Sequence, residues 1–201
     1  MGVYSVKPRF QAILKPVASY LAEQEVHPTW INLAAVISSV FAGFLLFDAT
    51  TTVWSLLIPL LVFIRIALNA LDGMVARANK VNEQARGEFL NEFFDRVSDT
   101  AIFLGLTFNP ATSILLGVAT ITVLLLTSYV SIVSKAAGGS RRYEGVMGKA
   151  DRMLVIGFLG CLTPWFGVST FGDGALSVVL AGLTLTISQR ITATWGELSG
   201  R

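Results

Sequence analysis

Between positions 69 and 99 the chain carries oxygen-bearing side chains at helical spacing: Asn69 and Asp72 lie three apart, and Asn91, Asp95 and Asp99 lie four apart. In a helix these intervals put side chains on one face, so two adjacent antiparallel helices would turn the five groups toward each other. The flanking segments are apolar, and a carboxylate at bilayer depth is costly unless it is paired or coordinated. A bound cation offsets that cost. With no His or Cys nearby, an oxygen-only set suits hard Mg²⁺ or Mn²⁺ rather than zinc. Such ions bridge phosphate oxygens, which points to a phosphate ester or diphosphate as substrate. Gly73 and Ala76 let a ligand or a neighbouring backbone approach closely, and Arg77 stands at the membrane surface where a diphosphate would sit.

The elements that must position these groups are membrane spans. The chain is 53% hydrophobic and 14% charged, with mean hydropathy +0.66, too apolar for an ordinary water-soluble domain of this length. Apolar runs able to cross a hydrocarbon core of about 30 Å occur at Trp30–Phe47, Thr52–Met74, Phe93–Phe108, Ala111–Val133, Leu154–Val168 and Leu176–Ile191. The third and fifth are short and reach span length only with their polar first turns. Every basic cluster then falls on one side: Lys7, Arg9 and Lys15; Arg77, Lys80 and Arg86; Lys135, Arg141, Arg142, Lys149 and Arg152; Arg190 and Arg201. The opposite connections contain no Lys or Arg, so the positive-inside rule puts both termini and the acidic site in the cytoplasm. Trp30, Trp54, Trp165 and Trp195 fall near span ends, as belt anchors do.

Residues 1–25 lack an uninterrupted apolar core and a small-residue cleavage site, so they do not read as a removable signal peptide. Phe10, Ile13, Leu14, Val17 and Leu21 recur at spacings of three and four beside Lys7, Arg9 and Lys15, the pattern of an amphipathic helix lying on an anionic membrane face. The expected fold is all-α: one domain over 1–201, with an interfacial helix in 1–25 and a six-helix transmembrane bundle in 26–201. Cys161, alone in an apolar run, reads as a small buried hydrophobe. The modest charge of +2 and the dispersed basic clusters argue against nucleic acid as a partner.

The stretch Asn69-Ala-Leu-Asp72-Gly73-Met-Val-Ala76-Arg77, followed by Gly87 and then Asn91 and Asp95, closely resembles the signature of the CDP-alcohol phosphotransferase family. That signature runs Asp, two residues, Asp-Gly, two residues, Ala-Arg, eight residues, Gly, then two further Asp at intervals of four. The six-span layout with a preceding interfacial helix is also similar. The resemblance implies a single membrane domain in a bacterial or archaeal inner membrane. There a CDP-linked lipid such as CDP-diacylglycerol binds with its diphosphate on two divalent ions, Mg²⁺ or Mn²⁺. An acceptor hydroxyl attacks the lipid-proximal phosphorus and CMP leaves, a step in phospholipid biosynthesis. By the same resemblance Asn69, Asp72, Asn91 and Asp95 are metal ligands, Asp95 is the general base, and Gly73, Ala76, Arg77 and Gly87 line the CDP-substrate site. The small-residue-rich helices and the resemblance together imply a homodimer.

The chain departs from the signature in three ways. Asn69 and Asn91 stand where it has Asp, and nine residues rather than eight separate Arg77 from Gly87. Two neutral ligands should hold the second ion weakly until the diphosphate arrives; Glu88, Glu92 and Asp99 are candidate compensating acids. Between the fourth and fifth spans, Lys135, Arg141, Arg142, Lys149 and Arg152 form a basic cluster that would suit the phosphate of a phosphorylated acceptor, with Arg152 the preferred contact; topology and anionic-lipid contact are the plain alternative. Arg65 inside the second span either counters the site's charge or pairs with a neighbouring helix. His27 reads as interfacial.

Three functions remain open on these residues: transfer of a phosphatidyl group to a polar, phosphorylated or unphosphorylated alcohol; a weak or inactive relative that binds CDP-lipid as a membrane partner protein; and a small transporter using Asp72 and Asp95 as an ion site. The last would need broken midplane helices or inverted repeats, and no internal repeat is present.

Overall fold

The computed structural model describes residues 7–48, 53–79 and 84–200, with Lys7 and Gln84 described by backbone alone. Lys80, Arg201, residues 1–6 of the expected interfacial segment and the greater part of the 48–52 connection lie outside the described residues. All described regular structure is helical: α1 (Lys7–Glu23), α2 (Pro28–Phe47), a short 3-10 turn (Val53–Leu56), α3 (Leu57–Ala78), α4 (Gln84–Thr107), α5 (Ile114–Ala136), α6 (Lys149–Phe166) and α7 (Val168–Ser199).

Local chemistry sets the helix ends. His27 caps α2, its Nδ1 accepting the Thr29 N–H at 3.3 Å, and Pro28 follows where no helical N–H is needed. Ser113 caps α5 by accepting the Leu116 N–H. Gly167, at φ 68°, divides α6 from α7 in a backbone conformation that side-chain-bearing residues avoid.

Helix α2 packs against α3 and α4, α5 against α7, and α6 against both α3 and α7. Gly43 on α2 meets Gly105 on α4 so closely that neither position has room for a Cβ, the small-residue approach typical of helices in lipid. The main core joins Leu46, Ile58, Val62, Phe103, Leu106 and Leu124 with residues of α6 and α7, and a second core holds α1 to α3 through Ala18, Ile31, Leu71 and Val75. Several buried hydroxyls bond within their own helices, as Ser39 to the Ala35 carbonyl (2.7 Å) and Thr163 to that of Leu159 (2.8 Å), while Ser38 of α2 reaches the Leu61 carbonyl of α3 (2.8 Å), so these polar groups are paired inside the apolar interior.

Large apolar side chains also cover the outside, among them Phe41, Phe44, Leu115, Phe158 and Leu185. Among the described residues four stretches are long and apolar enough to cross a membrane: Pro28–Phe47, Val53–Ala78, Ile114–Ala136 and Val168–Ser199. Helices α4 and α6 fall short of that composition because their first turns carry charge, Glu88, Glu92, Asp95, Arg96 and Asp99 on one and Lys149, Asp151 and Arg152 on the other. The expected last span proves to be part of a longer helix that starts at Val168 and runs past Ile191. Trp30, Trp54, Trp165 and Trp195 are all exposed, and so is Cys161, which on α6 faces outward rather than into the core expected for it. On α1, Leu14, Ala18 and Leu21 turn toward α3 and Phe10 meets Phe63 edge-on, whereas Ile13 and Val17 face outward.

Candidate active site

Three buried carboxylates stand at the adjoining ends of α3, α4 and α6: Asp72, Asp95 and Asp99. Asp72 follows from the α3 register that buries Leu71 and Val75 on the same stretch. Its Oδ1 accepts the Gly73 N–H at 2.6 Å, and the buried Asn32 of α2 hydrogen-bonds to its side chain. Asn32 escaped the sequence reading; its signal is a polar side chain in the first turns of an otherwise apolar helix. The Arg77 guanidinium folds back along α3, its Nη1 3.5 Å from where a Cβ on Gly73 would sit. A Cβ on Gly87 would meet open space. Asn69 and Asn91 are half-buried one turn before Asp72 and Asp95, and Ala76 is half-buried between Asp72 and the helix end.

The α4 acids form a ladder, each rung held by cations from other elements. Deepest is Asp99, with zero exposure: Arg65 of α3, equally buried, pairs with its Oδ1, and Arg152 of α6 donates to its Oδ2 at 2.5 Å. One turn nearer the helix start, Lys149 of α6 pairs with Asp95 Oδ1, and Arg96 Nη2 lies 3.8 Å from Asp95 Oδ2. The next rung is Glu92, paired with Arg141 and, at 3.5 Å, with Arg96. The outermost, Glu88, takes Lys135 at 2.6 Å on both oxygens and Arg141 at 3.1 Å. The hydrogen bond and charge of Lys135, with Arg141 behind them, hold the Glu88 carboxyl below the usual carboxylate range.

Of the basic cluster, the fold brings Lys135, Arg141, Lys149 and Arg152 onto the α4 acids. Arg142 turns instead to α7, where it pairs with Glu197 and donates to the Ala193 carbonyl at 2.8 Å. Arg152 donates through Nη2 to the buried Asp99, and Asp99, Glu92 and Glu88 each have both oxygens against cations. Arg65 takes the structural pairing. Among the described residues the buried Nε atoms of Arg65, Arg96, Arg141 and Arg152 have no acceptor, and buried donors in that condition call for water or an anion.

The α6 start is itself held firmly. Asp151 accepts the Gly148 N–H (2.9 Å), and Thr186 of α7 accepts the Met147 N–H (2.9 Å). Gly145 has φ 134° and no room for a Cβ beside Thr186.

As a metal-binding set, the motif offers oxygen only: carboxylates at Asp72 and Asp95 and amide carbonyls at Asn69 and Asn91. Among the described residues no three His, Cys, Asp or Glu side chains gather in a metal-holding group. The donor chemistry fits a hard divalent ion. With two carboxylates, one of them paired to Lys149, it is short of the charge that two such ions would ordinarily meet.

No family model matches the chain. It is 39% identical over 161 residues to inner membrane protein YnbA of Escherichia coli (strain K12), covering 80% of this chain and 79% of that one. It is 31% identical over 131 residues to archaetidylinositol phosphate synthase of Methanothermobacter thermautotrophicus, 65% of this chain and 66% of that one. In fold it is similar to phosphatidylinositol phosphate synthase of Mycobacterium tuberculosis with CDP-DAG bound, at TM-score 0.75 and 19% identity over 92% of this chain and 94% of that one. The same synthase in complex with manganese and citrate gives TM-score 0.74 and 20% identity over 90% of this chain and 88% of that one. With its apolar helices and these relatives, the chain is an integral membrane protein.

Proposed function

Since the chain belongs to the CDP-alcohol phosphotransferase family, we propose that it transfers a phosphatidyl or similar phosphoalcohol group from CDP-diacylglycerol, or a like CDP-alcohol, to the hydroxyl of a phosphorylated polyol. The observation that carries this reading is the pair of buried carboxylates, Asp72 on α3 and Asp95 on α4, at the heart of the signature residues. A phosphorylated acceptor is favoured by the orphaned guanidinium Nε–H groups of Arg96, beside Asp95, and of Arg141, paired with Glu92 one turn away, and by the products named for the archaeal and bacterial relatives.

Asp95 takes the proton of the acceptor hydroxyl; the freed oxygen bonds to the lipid-side phosphorus, and the bond from that phosphorus to the bridging oxygen breaks, so that CMP leaves with the oxygen. Asp72, Asp95, Asn69 and Asn91 are the residues to hold divalent metal, which when bound neutralises charge on the diphosphate. Gly73 and Ala76 keep the α3 surface low for the diphosphate. Arg77 adds a cation over it, and Gly87 leaves the facing side open. Asn32 and the Gly73 N–H fix the Asp72 carboxylate. In this reading 1–201 is one domain, α4 and α6 join the four apolar helices to give six crossings, α1 lies at the cytoplasmic face with both termini and the site, and the chain works as a homodimer.

A second reading has an observation of its own: Asn stands at 69 and 91 and Lys149 engages Asp95, as in a protein that binds CDP-lipid without turnover. CMP release from CDP-diacylglycerol by the purified protein, across phosphorylated and unphosphorylated polyols with Mg²⁺ or Mn²⁺, separates the two. Acceptor-dependent release supports the transferase; lipid binding without release supports the silent partner.

A further inference from the structure

The Lys149 ammonium pairs with Asp95 Oδ1 and lies within electrostatic reach of Asp72. It therefore stands with the two carboxylates on which a pair of divalent ions would have to rely. Four carboxylates would neutralise two such ions. Here Asp72, Asp95 and Lys149 together carry minus one; one divalent ion takes the group to plus one and two take it to plus three. Both missing charges are at Asn69 and Asn91, and the added cation comes from the opposite side of the site. The position of Lys149 is not incidental. It is the first residue of α6, whose start is fixed by the Asp151 and Thr186 hydrogen bonds and by Gly145, and Arg152, one turn on, repeats the same α6-to-α4 pairing at Asp99.

We propose that Lys149 is a built-in substitute for one of the two metal ions, so that this chain binds a single divalent ion per site and meets the rest of the diphosphate charge with the Lys149 ammonium. The proposal deepens the transferase reading and rests on it for its chemistry. The ammonium supplies a fixed positive charge beside the general base, orienting Asp95 by a hydrogen bond, while a single ion is held by Asp72 and Asp95 with the amide oxygens at 69 and 91.

The test is to count bound Mn²⁺ by electron paramagnetic resonance, on the full chain in lipid nanodiscs containing CDP-diacylglycerol, with CMP release followed in the same preparation. Wild type is expected to bind one ion per chain with the six-line spectrum of an isolated Mn²⁺. Lys149→Met is expected to bind Mn²⁺ about tenfold or more tightly, since a unit charge a few ångströms away is removed. Lys149→Met with Asn69→Asp and Asn91→Asp is expected to bind two ions, spin-coupled as ions about 3.5–4 Å apart are. Two coupled ions in wild type, or none, overturns the proposal, and that count needs no variant to fold. Unchanged affinity in a folded Lys149→Met overturns it as well. One isolated ion without CMP release from any acceptor refutes the transferase reading and leaves the single-ion site standing.

Discussion

Asp99 is the side chain on which three helices meet, and Asp99→Asn removes its charge while keeping its size. Arg65 and Arg152 then lose the acid that holds them, inside a site where Asp99 and Arg65 have no exposure and Arg152 has almost none. The two amide substituents of Asn cannot both accept, so one guanidinium also meets a donor instead of an acceptor. Removing one partner of a buried ion pair costs about 3–5 kcal/mol, against a total stability of about 5–15 kcal/mol for a typical protein. At about 2–4 °C per kcal/mol for a chain of this size, the melting midpoint should fall by roughly 6–20 °C. The assay is size-exclusion recovery of the detergent-solubilised chain after stepwise heating. Glu88→Gln is the control, because Glu88, near the start of α4, and its partner Lys135 are both partly exposed, where such pairs contribute about 1 kcal/mol or less. An Asp99→Asn midpoint no lower than the control's would refute the view that the triad locks α3, α4 and α6 together.

Gly105→Ala places a Cβ on the Gly43 carbonyl and should cost about 1–3 kcal/mol as overpacking, read as a lower midpoint in the same assay. Asn32→Ala deprives the buried Asp72 of a hydrogen-bond partner; a loss of about 1–3 kcal/mol corresponds to a fall in kcat/KM of roughly 5- to 150-fold. Chelation with EDTA should abolish CMP release, and Mg²⁺ or Mn²⁺ should restore it.

The acidic stretch was legible because its chemistry is local: Asn69 with Asp72, and Asn91 with Asp95 and Asp99, declare a shared helix face by their spacing alone. Arg65 was legible as a residue that either counters the site's charge or pairs with a neighbouring helix, and Arg152 as an acceptor contact, but their common partner was not, since Asp99 meets them only once α3, α4 and α6 are packed. Arg152, an acceptor contact by sequence, also donates to Asp99. Lys135, Arg141 and Lys149 share a connection with Arg142, and nothing in that run tells which of them reach α4 and which turns to Glu197 on α7. The sheltered helices α4 and α6 lack a clear apolar signature for the same reason that they matter: their first turns are written in charges that pair with each other. The close approach of α2 and α4 had a visible trace in Gly43 and Gly105, yet glycine alone does not name its neighbour.

The transferase reading turns on Asp95. Acceptor-dependent CMP release from CDP-diacylglycerol should be compared between wild type and Asp95→Asn, alongside CDP-diacylglycerol binding to each. A fall in kcat of about 10²- to 10⁴-fold, the usual contribution of a general base, with lipid binding retained, is the expected result. Equal release from the two proteins, or no release from either, would contradict it.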